Sequence, residues 1–231
     1  ENATQTNRYQ GAFALMTSLF FIWGAIVPLN DILIPHFKGL FQMNYTQTML
    51  IQFCFFGSYF IMAIPASLMI ERAGYKKGIS IGLLTIGLGA LIFLPASRFV
   101  SYPLFLLGLY TMATGSVILQ VVANPYVIIL GKPETASSRL NLAQGVNSLA
   151  TTTAPLLGGM LILGDYDTKE AATAAVEGPY LGLAIFAFLI AVIFYFLKLP
   201  KVLDTDGEKV KGNVLKFRQL RLGVIALMLY V

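Results

Sequence analysis

Apolar residues recur along the chain in blocks of about twenty, the length that carries a helix across a hydrocarbon core about 30 Å thick. Six blocks stand out: roughly Gly11 to Ile34, Met49 to Ile70, Gly78 to Ala96, Pro103 to Leu130, Leu140 to Leu163 and Tyr180 to Leu197. A seventh opens at Leu222 and reaches only Val231, about half of what a crossing needs. The pattern predicts an all-α membrane protein with six spans and the start of another, its first partner being the lipid bilayer. Composition agrees: 57% of residues are hydrophobic and 12% charged, where soluble domains carry about 25% charged residues. The chain opens on Glu1 and is expected to be part of a longer product. The first block is too long for a secretory signal and no small-residue cleavage site follows it.

Charge adds orientation. Arg8, Arg72, Lys76, Lys77, Lys132, Arg139 and the basic residues from Lys198 to Arg221 fall on one side of the spans, and only Lys38, Arg98 and Lys169 on the other. The side richer in Lys and Arg faces the cytoplasm. The expected organisation is a cytoplasmic N-terminus over 1–10, a six-helix bundle over 11–198, a charged cytoplasmic linker over 199–220, and the start of a seventh helix over 221–231. This describes one half of a twelve-span protein, in which each six-helix half is built from two inverted three-helix repeats. Its expected partner is the C-terminal six-helix half of the same chain. The net charge of +5 lies at the ends of the spans, so it gives no reason to expect nucleic acid as a partner. Cys54 is the one cysteine, which excludes an internal disulfide and a cysteine metal site.

Polar residues inside the spans carry the candidate chemistry. Asp31 is the one carboxylate in apolar surroundings, since Ile32, Leu33 and Ile34 continue the run beyond it. A charge there costs at least a few kcal/mol, so such groups face a bundle interior or an aqueous cavity and take part in function. Span four carries Ser116, Gln120 and Asn124 on one helical face, followed by Pro125; span five carries Asn141, Gln144, Asn147, Ser148, Thr151 and Thr152. Such stripes must point at other helices or at water. The hydroxyls are expected to stitch helices together, and Gln120, Gln144 and Asn147 to line a cavity. Span one is interrupted by Asn30, Asp31 and Pro35, and span four, its counterpart in the second repeat, by Asn124 and Pro125. Matching interruptions point to a substrate site. Trp23 shares a face with Asn30 two turns on. Amides, a carboxylate and an indole suit a polyol, offering partners for hydroxyls and a flat ring for the apolar face of a sugar. Gly82, Gly87, Gly89, Gly158 and Gly159 read as close-packing positions, and His36 as a group at the outer mouth. No phosphate loop, metal-ligand cluster or activated nucleophile occurs, so neither an ATPase nor another enzyme is expected and no cofactor is implied.

The loop Ser67-Leu68-Met69-Ile70-Glu71-Arg72-Ala73-Gly74-Tyr75-Lys76-Lys77 resembles the cytoplasmic signature loop of the major facilitator superfamily. Glu71, Arg72, Gly74 and Lys76 match its conformational-gate positions. Leu29-Asn30-Asp31-Ile32-Leu33-Ile34-Pro35, Ala123-Asn124-Pro125-Tyr126 and Arg139-Leu140-Asn141-Leu142-Ala143-Gln144 with Asn147-Ser148 resemble the fucose permease branch, and within it bacterial glucose/galactose transporters. The likeness runs from about Ala12 to Pro200.

The resemblance implies a multi-pass protein of the bacterial inner membrane that carries a monosaccharide by cation-coupled symport and alternating access. Asp31 is the implied coupling carboxylate, and Gln120, Gln144, Asn147, Asn30, Trp23 and Asn124 the implied sugar contacts. Where fucose permease has a second acid, this chain has Gln120, an amide that bonds sugar hydroxyls but takes up no proton. That departure tips the expectation to Na+ over H+, with Asp31 as a metal ligand completed by Gln120, Asn147 or a hydroxyl. The alternatives are an H+-coupled fucose or other sugar permease, and a sugar sensor that binds without transport. An organic-anion carrier would be expected to hold a basic residue inside a span, and every Lys and Arg here can be placed at a span end or in a loop.

Overall fold

The computed structural model describes residues 2–164, 166–197, 217–219, 221–223 and 226, with side chains from residue 11 onward. Six helices follow in order: α1 Asn2–Leu40, α2 Tyr45–Ala73, α3 Tyr75–Arg98, α4 Tyr102–Ile129, α5 Ala136–Ile162 and α6 Lys169–Phe196. No strand occurs among the described residues. The chain divides into two compact units, 1–200 and 201–231. Residues 199–216 of the expected linker lie outside the described residues, as does Asp165; of the expected seventh helix, 221–223 and 226 are described and helical.

Each expected span is a helix, and the differences lie at the ends. α6 begins at Lys169, well before the expected Tyr180. The run Glu170 to Val176 is rich in alanine, the strongest helix former, and Thr168 caps it by accepting from the Ala171 amide at 3.2 Å. Pro179 lies inside the helix. α1 likewise continues through Pro35 to Leu40, and α4 through Pro125 to Ile129. The interruptions in these two spans are therefore interruptions of apolarity, while the helices run on. Neighbouring helices and local adjustment tolerate a proline inside a membrane bundle.

Local chemistry fixes the other ends. Asn44 and Gln47 form a reciprocal capping box at the start of α2: the Gln47 amide donates to Asn44 Oδ1 at 2.8 Å and the Asn44 amide to Gln47 Oε1 at 3.1 Å. Gly74 joins α2 to α3 at φ 81°, a conformation that glycine adopts without steric cost, while donating to the Ile70 carbonyl. Arg139 clasps the end of α4 from the first turn of α5. Its Nε donates to the Val127 carbonyl at 3.2 Å and its Nη2 to the Ile128 carbonyl at 2.6 Å, using carbonyls that the helix end leaves free.

Five of the six helices, all but α5, are long and apolar enough to cross a membrane. α5 has the length, at 27 residues, but its amides and hydroxyls dilute its apolarity. α3 packs on α4 and α6, α1 on α5, and α2 on α4. The pairs α1 with α5 and α4 with α2 exchange under the repeat relation that maps α1 to α4 and α2 to α5. Glycines zip α3 to α4: a Cβ on Gly115 would stand 2.7 Å from the Gly82 carbonyl oxygen, and one on Gly89 3.0 Å from that of Gly108. Small residues let membrane helices approach this closely, where no hydrophobic force drives them together. Gly87 admits Phe188 of α6 in the same way, and Gly158 of α5 admits Leu29 of α1. Gly159 meets only Leu163 of its own helix, so it is not a close-packing position. Phe93 of α3 stacks on Tyr180 of α6 at 3.9 Å between ring centroids. Large apolar side chains such as Phe53, Phe60 and Ile64 of α2 and Phe196 of α6 are left exposed, as lipid-facing positions would be.

Candidate functional site

Two polar clusters are set into the apolar bundle, and α2 supplies one residue to each. Gln52, two turns into α2, donates from Nε2 to Asp31 Oδ1 at 3.3 Å and accepts at Oε1 from Asn30 Nδ2 at 3.5 Å. One amide thus ties two consecutive α1 residues that project about 100° apart. Asp31 is exposed on the six-helix unit, whereas Asn30 is 1% exposed. Two turns further along the same face of α2, the Tyr59 hydroxyl accepts from Gln120 Nε2 of α4 at 3.1 Å and is also in hydrogen-bonding contact with Ser116. Ser116 is fully buried and donates to the Met112 carbonyl at 3.1 Å. No acid stands in this second cluster.

The two interrupted helices share a further feature. Asn30 Oδ1 on α1 and Asn124 Oδ1 on α4 are both buried without a hydrogen-bond partner among the described residues. A buried, unsatisfied polar atom costs about 1–3 kcal/mol, and such atoms in a folded protein call for an explanation such as a strained, ligand-binding or hydrated site. They occur here at the repeat-matched positions that the sequence singles out.

The remaining predicted residues divide between these clusters and a third place. Asn147 of α5 donates from Nδ2 to the Phe20 carbonyl of α1 at 3.0 Å, and Thr151 to the Gly24 carbonyl at 3.2 Å. A Cβ on Gly24 would stand 2.6 Å from the Asn147 carbonyl oxygen, so glycine permits the close approach that these bonds need. Asn147 is therefore an interhelical tie through its Nδ2. Trp23 is half-buried, its ring 5.0 Å from that of Phe20. Gln144 is half-buried, and Asn141, Ser148 and Thr152 lie exposed on α5. The amides expected to complete a sodium site bond elsewhere through their nitrogens, Gln120 Nε2 to Tyr59 and Asn147 Nδ2 to the Phe20 carbonyl, and neither bonds Asp31. The group that does meet Asp31 is Gln52.

At the opposite end of α2, Glu71 and Arg72 are exposed and form no ion pair among the described residues, while Lys76 is half-buried in the first turn of α3. Gly74 is the member of this loop whose identity the backbone explains. His36, expected at the outer mouth, is half-buried and donates from Nε2 to the Ala172 carbonyl at 2.9 Å, tying α1 to α6.

Sequence reasoning missed Gln52 and Tyr59. Both stand alone in an apolar helix and form no stripe. Their spacing of seven residues, two helical turns, is the signal that places them on one face.

Comparison with known proteins places this geometry. The sequence matches the Major Facilitator Superfamily over residues 9–231. It is 50% identical over 236 residues to a glucose/galactose transporter of Brucella abortus, a match covering all of this chain and 57% of the relative. It is 41% identical to a putative glucose/galactose transporter of Helicobacter pylori, covering 95% of this chain and 56% of that protein. With the L-fucose-proton symporter of Escherichia coli it shares 33% identity, covering all of this chain and 58% of the symporter. The chain thus spans little more than half the length of these relatives. Among solved structures, a major facilitator transporter, FucP, in the outward conformation superposes with a TM-score of 0.73 and 36% identity, covering 84% of this chain and 51% of that one. Six helices paired across a repeat, two polar clusters organised from α2 and a sequence match over nearly its whole length show that this chain belongs to the major facilitator superfamily.

Proposed function

We propose that the full-length protein carries a hexose of the glucose/galactose type across the bacterial inner membrane by cation-coupled symport and alternating access, with Asp31 as the coupling carboxylate. The observation that carries this reading is the pair of polar clusters, one at the interruption of α1 and the other one turn ahead of the interruption of α4. One holds a carboxylate, and both helices present an unpartnered amide oxygen. Hydroxyls of a sugar are donors that such oxygens lack. The names of the relatives, glucose/galactose transporter and L-fucose-proton symporter, support a monosaccharide as substrate.

In this reading Gln120 and Asn124 contact sugar from α4, Asn30 and Trp23 from α1, and Gln144 and the free oxygen of Asn147 from α5. The exposed polar face of α5 turns toward the C-terminal half of the same transporter. The loop Glu71 to Lys76 works as the cytoplasmic gate, the N-terminus lies in the cytoplasm, and residues 199–220 link the two halves. The coupling ion is a proton in the first instance, as in the named L-fucose-proton relative, because Asp31 receives one hydrogen-bond donor and keeps a free oxygen to take it up. Sodium is the second reading, favoured by the neutral Gln120 in the partner cluster, which leaves a single acid for ion traffic.

The test is uptake of labelled glucose by proteoliposomes holding the full-length protein, under an inward proton gradient and, separately, an inward sodium gradient. Accumulation driven by protons makes Asp31 a titrating group, and accumulation driven only by sodium makes it an ion ligand. Failure to accumulate glucose, galactose or fucose under either gradient contradicts the proposal.

A further inference from the structure

Gln52 lies outside the segments that carry the family resemblance. It is the one side chain among the described residues that bonds the Asp31 carboxylate, at 3.3 Å, and the same amide accepts from Asn30 at 3.5 Å. Asn30 is 1% exposed and its Oδ1 has no partner among the described residues. Gln52 is half-buried and belongs to α2, a helix that otherwise meets α1 sparsely and packs on α4. The bond from Gln52 to Asp31 is therefore the main polar tie between the charge on α1 and the helix that also carries Tyr59, the partner of Gln120.

We propose that Gln52 is a positioning residue for Asp31, which reports the charge state of the carboxylate to α2 and to Asn30. This rests on the reading of Asp31 as the coupling group. An ionised carboxylate accepts only, so it holds the Nε2 end of Gln52. When the coupling cation neutralises Asp31, that charge-assisted bond weakens. The Gln52 amide is then free to turn its donor toward the buried Asn30 Oδ1, the acceptor left without a partner while Asp31 is charged. Two neighbouring α1 residues thus share one α2 amide in two alternative arrangements, and the choice between them follows the ion. Such a bistable element is what a coupling mechanism needs, because an ion can bias an equilibrium only through contacts that differ between its states.

The experiment compares two activities of the full-length protein in proteoliposomes: accumulation of labelled hexose against its gradient, and counterflow exchange, which needs sugar binding and an intact fold but no net ion coupling. Gln52→Met keeps the length of the side chain and removes the amide. It is expected to reduce accumulation about tenfold, the scale of a lost hydrogen bond to a charged group, with a clearly smaller loss of counterflow, since Gln52 touches the sugar-contacting Asn30 only through one long bond of 3.5 Å. Gln52→Asn, one methylene shorter with the amide retained, is expected to fall between wild type and Gln52→Met. Adding Gln52→Met to Asp31→Asn is expected to cause no further loss, because the two act through one bond.

Wild-type accumulation in Gln52→Met overturns the proposal. So does an equal loss of accumulation and counterflow, which marks a purely structural or sugar-binding side chain. Wild-type accumulation in Asp31→Asn overturns the coupling reading beneath it, a failure distinct from that of Gln52 alone.

Discussion

Each of the two clusters on α2 joins one α2 side chain to two residues of another helix, and the two differ in charge. Around Gln52 the partners are Asn30 and Asp31 of the first repeat, and the cluster contains an exposed carboxylate. Around Tyr59 the partners are Gln120 and Ser116 of the second repeat, with Ser116 fully buried and no ionisable acid present. The first sits at the interruption of α1 and the second begins one turn ahead of the interruption of α4 at Asn124, and chemistry separates their tasks. A carboxylate can change charge with a bound ion and so can gate a conformational equilibrium. An amide and a phenol hold one charge state at working pH and serve as fixed hydrogen-bond partners. On this account the Asp31 cluster couples and the Tyr59 cluster recognises.

The largest expected effect outside the coupling residues comes from moving α1, which carries the charged cluster, while α4 is left in place. In Gly24→Ala the new Cβ would stand 2.6 Å from the Asn147 carbonyl oxygen, and overpacking of this kind costs about 1–3 kcal/mol. Thermal unfolding of the purified protein should show a clear drop in Tm, with loss of the α1 to α5 bonds at Asn147 and Thr151. A variant as stable as wild type would show that α1 is not held in register by α5.

A smaller effect is expected from Tyr59→Phe, which removes the acceptor of Gln120 and leaves Asp31 and Gln52 untouched. Loss of one neutral hydrogen bond corresponds to about 0.5–1.5 kcal/mol. The KM for hexose in counterflow should rise a few-fold while the ratio of accumulated to external sugar at saturation stays at its wild-type value. A fall in that ratio would erase the division between the clusters.

The smallest effect belongs to a hydroxyl outside both. Tyr180 stacks on Phe93, and its OH is buried without a partner among the described residues. Tyr180→Phe removes an unsatisfied group at constant shape, so Tm should hold or rise, by about 1 kcal/mol of stability at most. Impaired transport with an unchanged fold would mean that this hydroxyl has a task which neither cluster includes.

Much of the fold could be read in the sequence because the bilayer imposes a length on every apolar run. All six spans are helices, and α6 begins ahead of the expected Tyr180 because apolar length marks only the lipid-soluble part of a helix whose alanine-rich, charge-bearing first turns come before it. Of the candidate site, the polar positions were legible where a residue is conspicuous against apolar neighbours, as Asp31, Asn30, Gln120 and Asn124 are. The site was not legible where function depends on which groups meet across helices. Gln52 and Tyr59 are isolated in α2, and nothing in their own segment says that one faces α1 and the other α4. Asn147 was legible as a polar position, but an amide can line a cavity or tie two backbones, and only the packing at Gly24 shows that its nitrogen does the second.

The most direct test of the central claim is made on Asp31→Asn in the full-length protein, reading labelled hexose accumulation and counterflow in the same proteoliposome preparation. The account predicts that accumulation falls to the level set by simple equilibration, while counterflow continues at a rate within about an order of magnitude of wild type, since binding and the fold are retained. Accumulation at the wild-type level would contradict it, because the carboxylate would then carry no coupling.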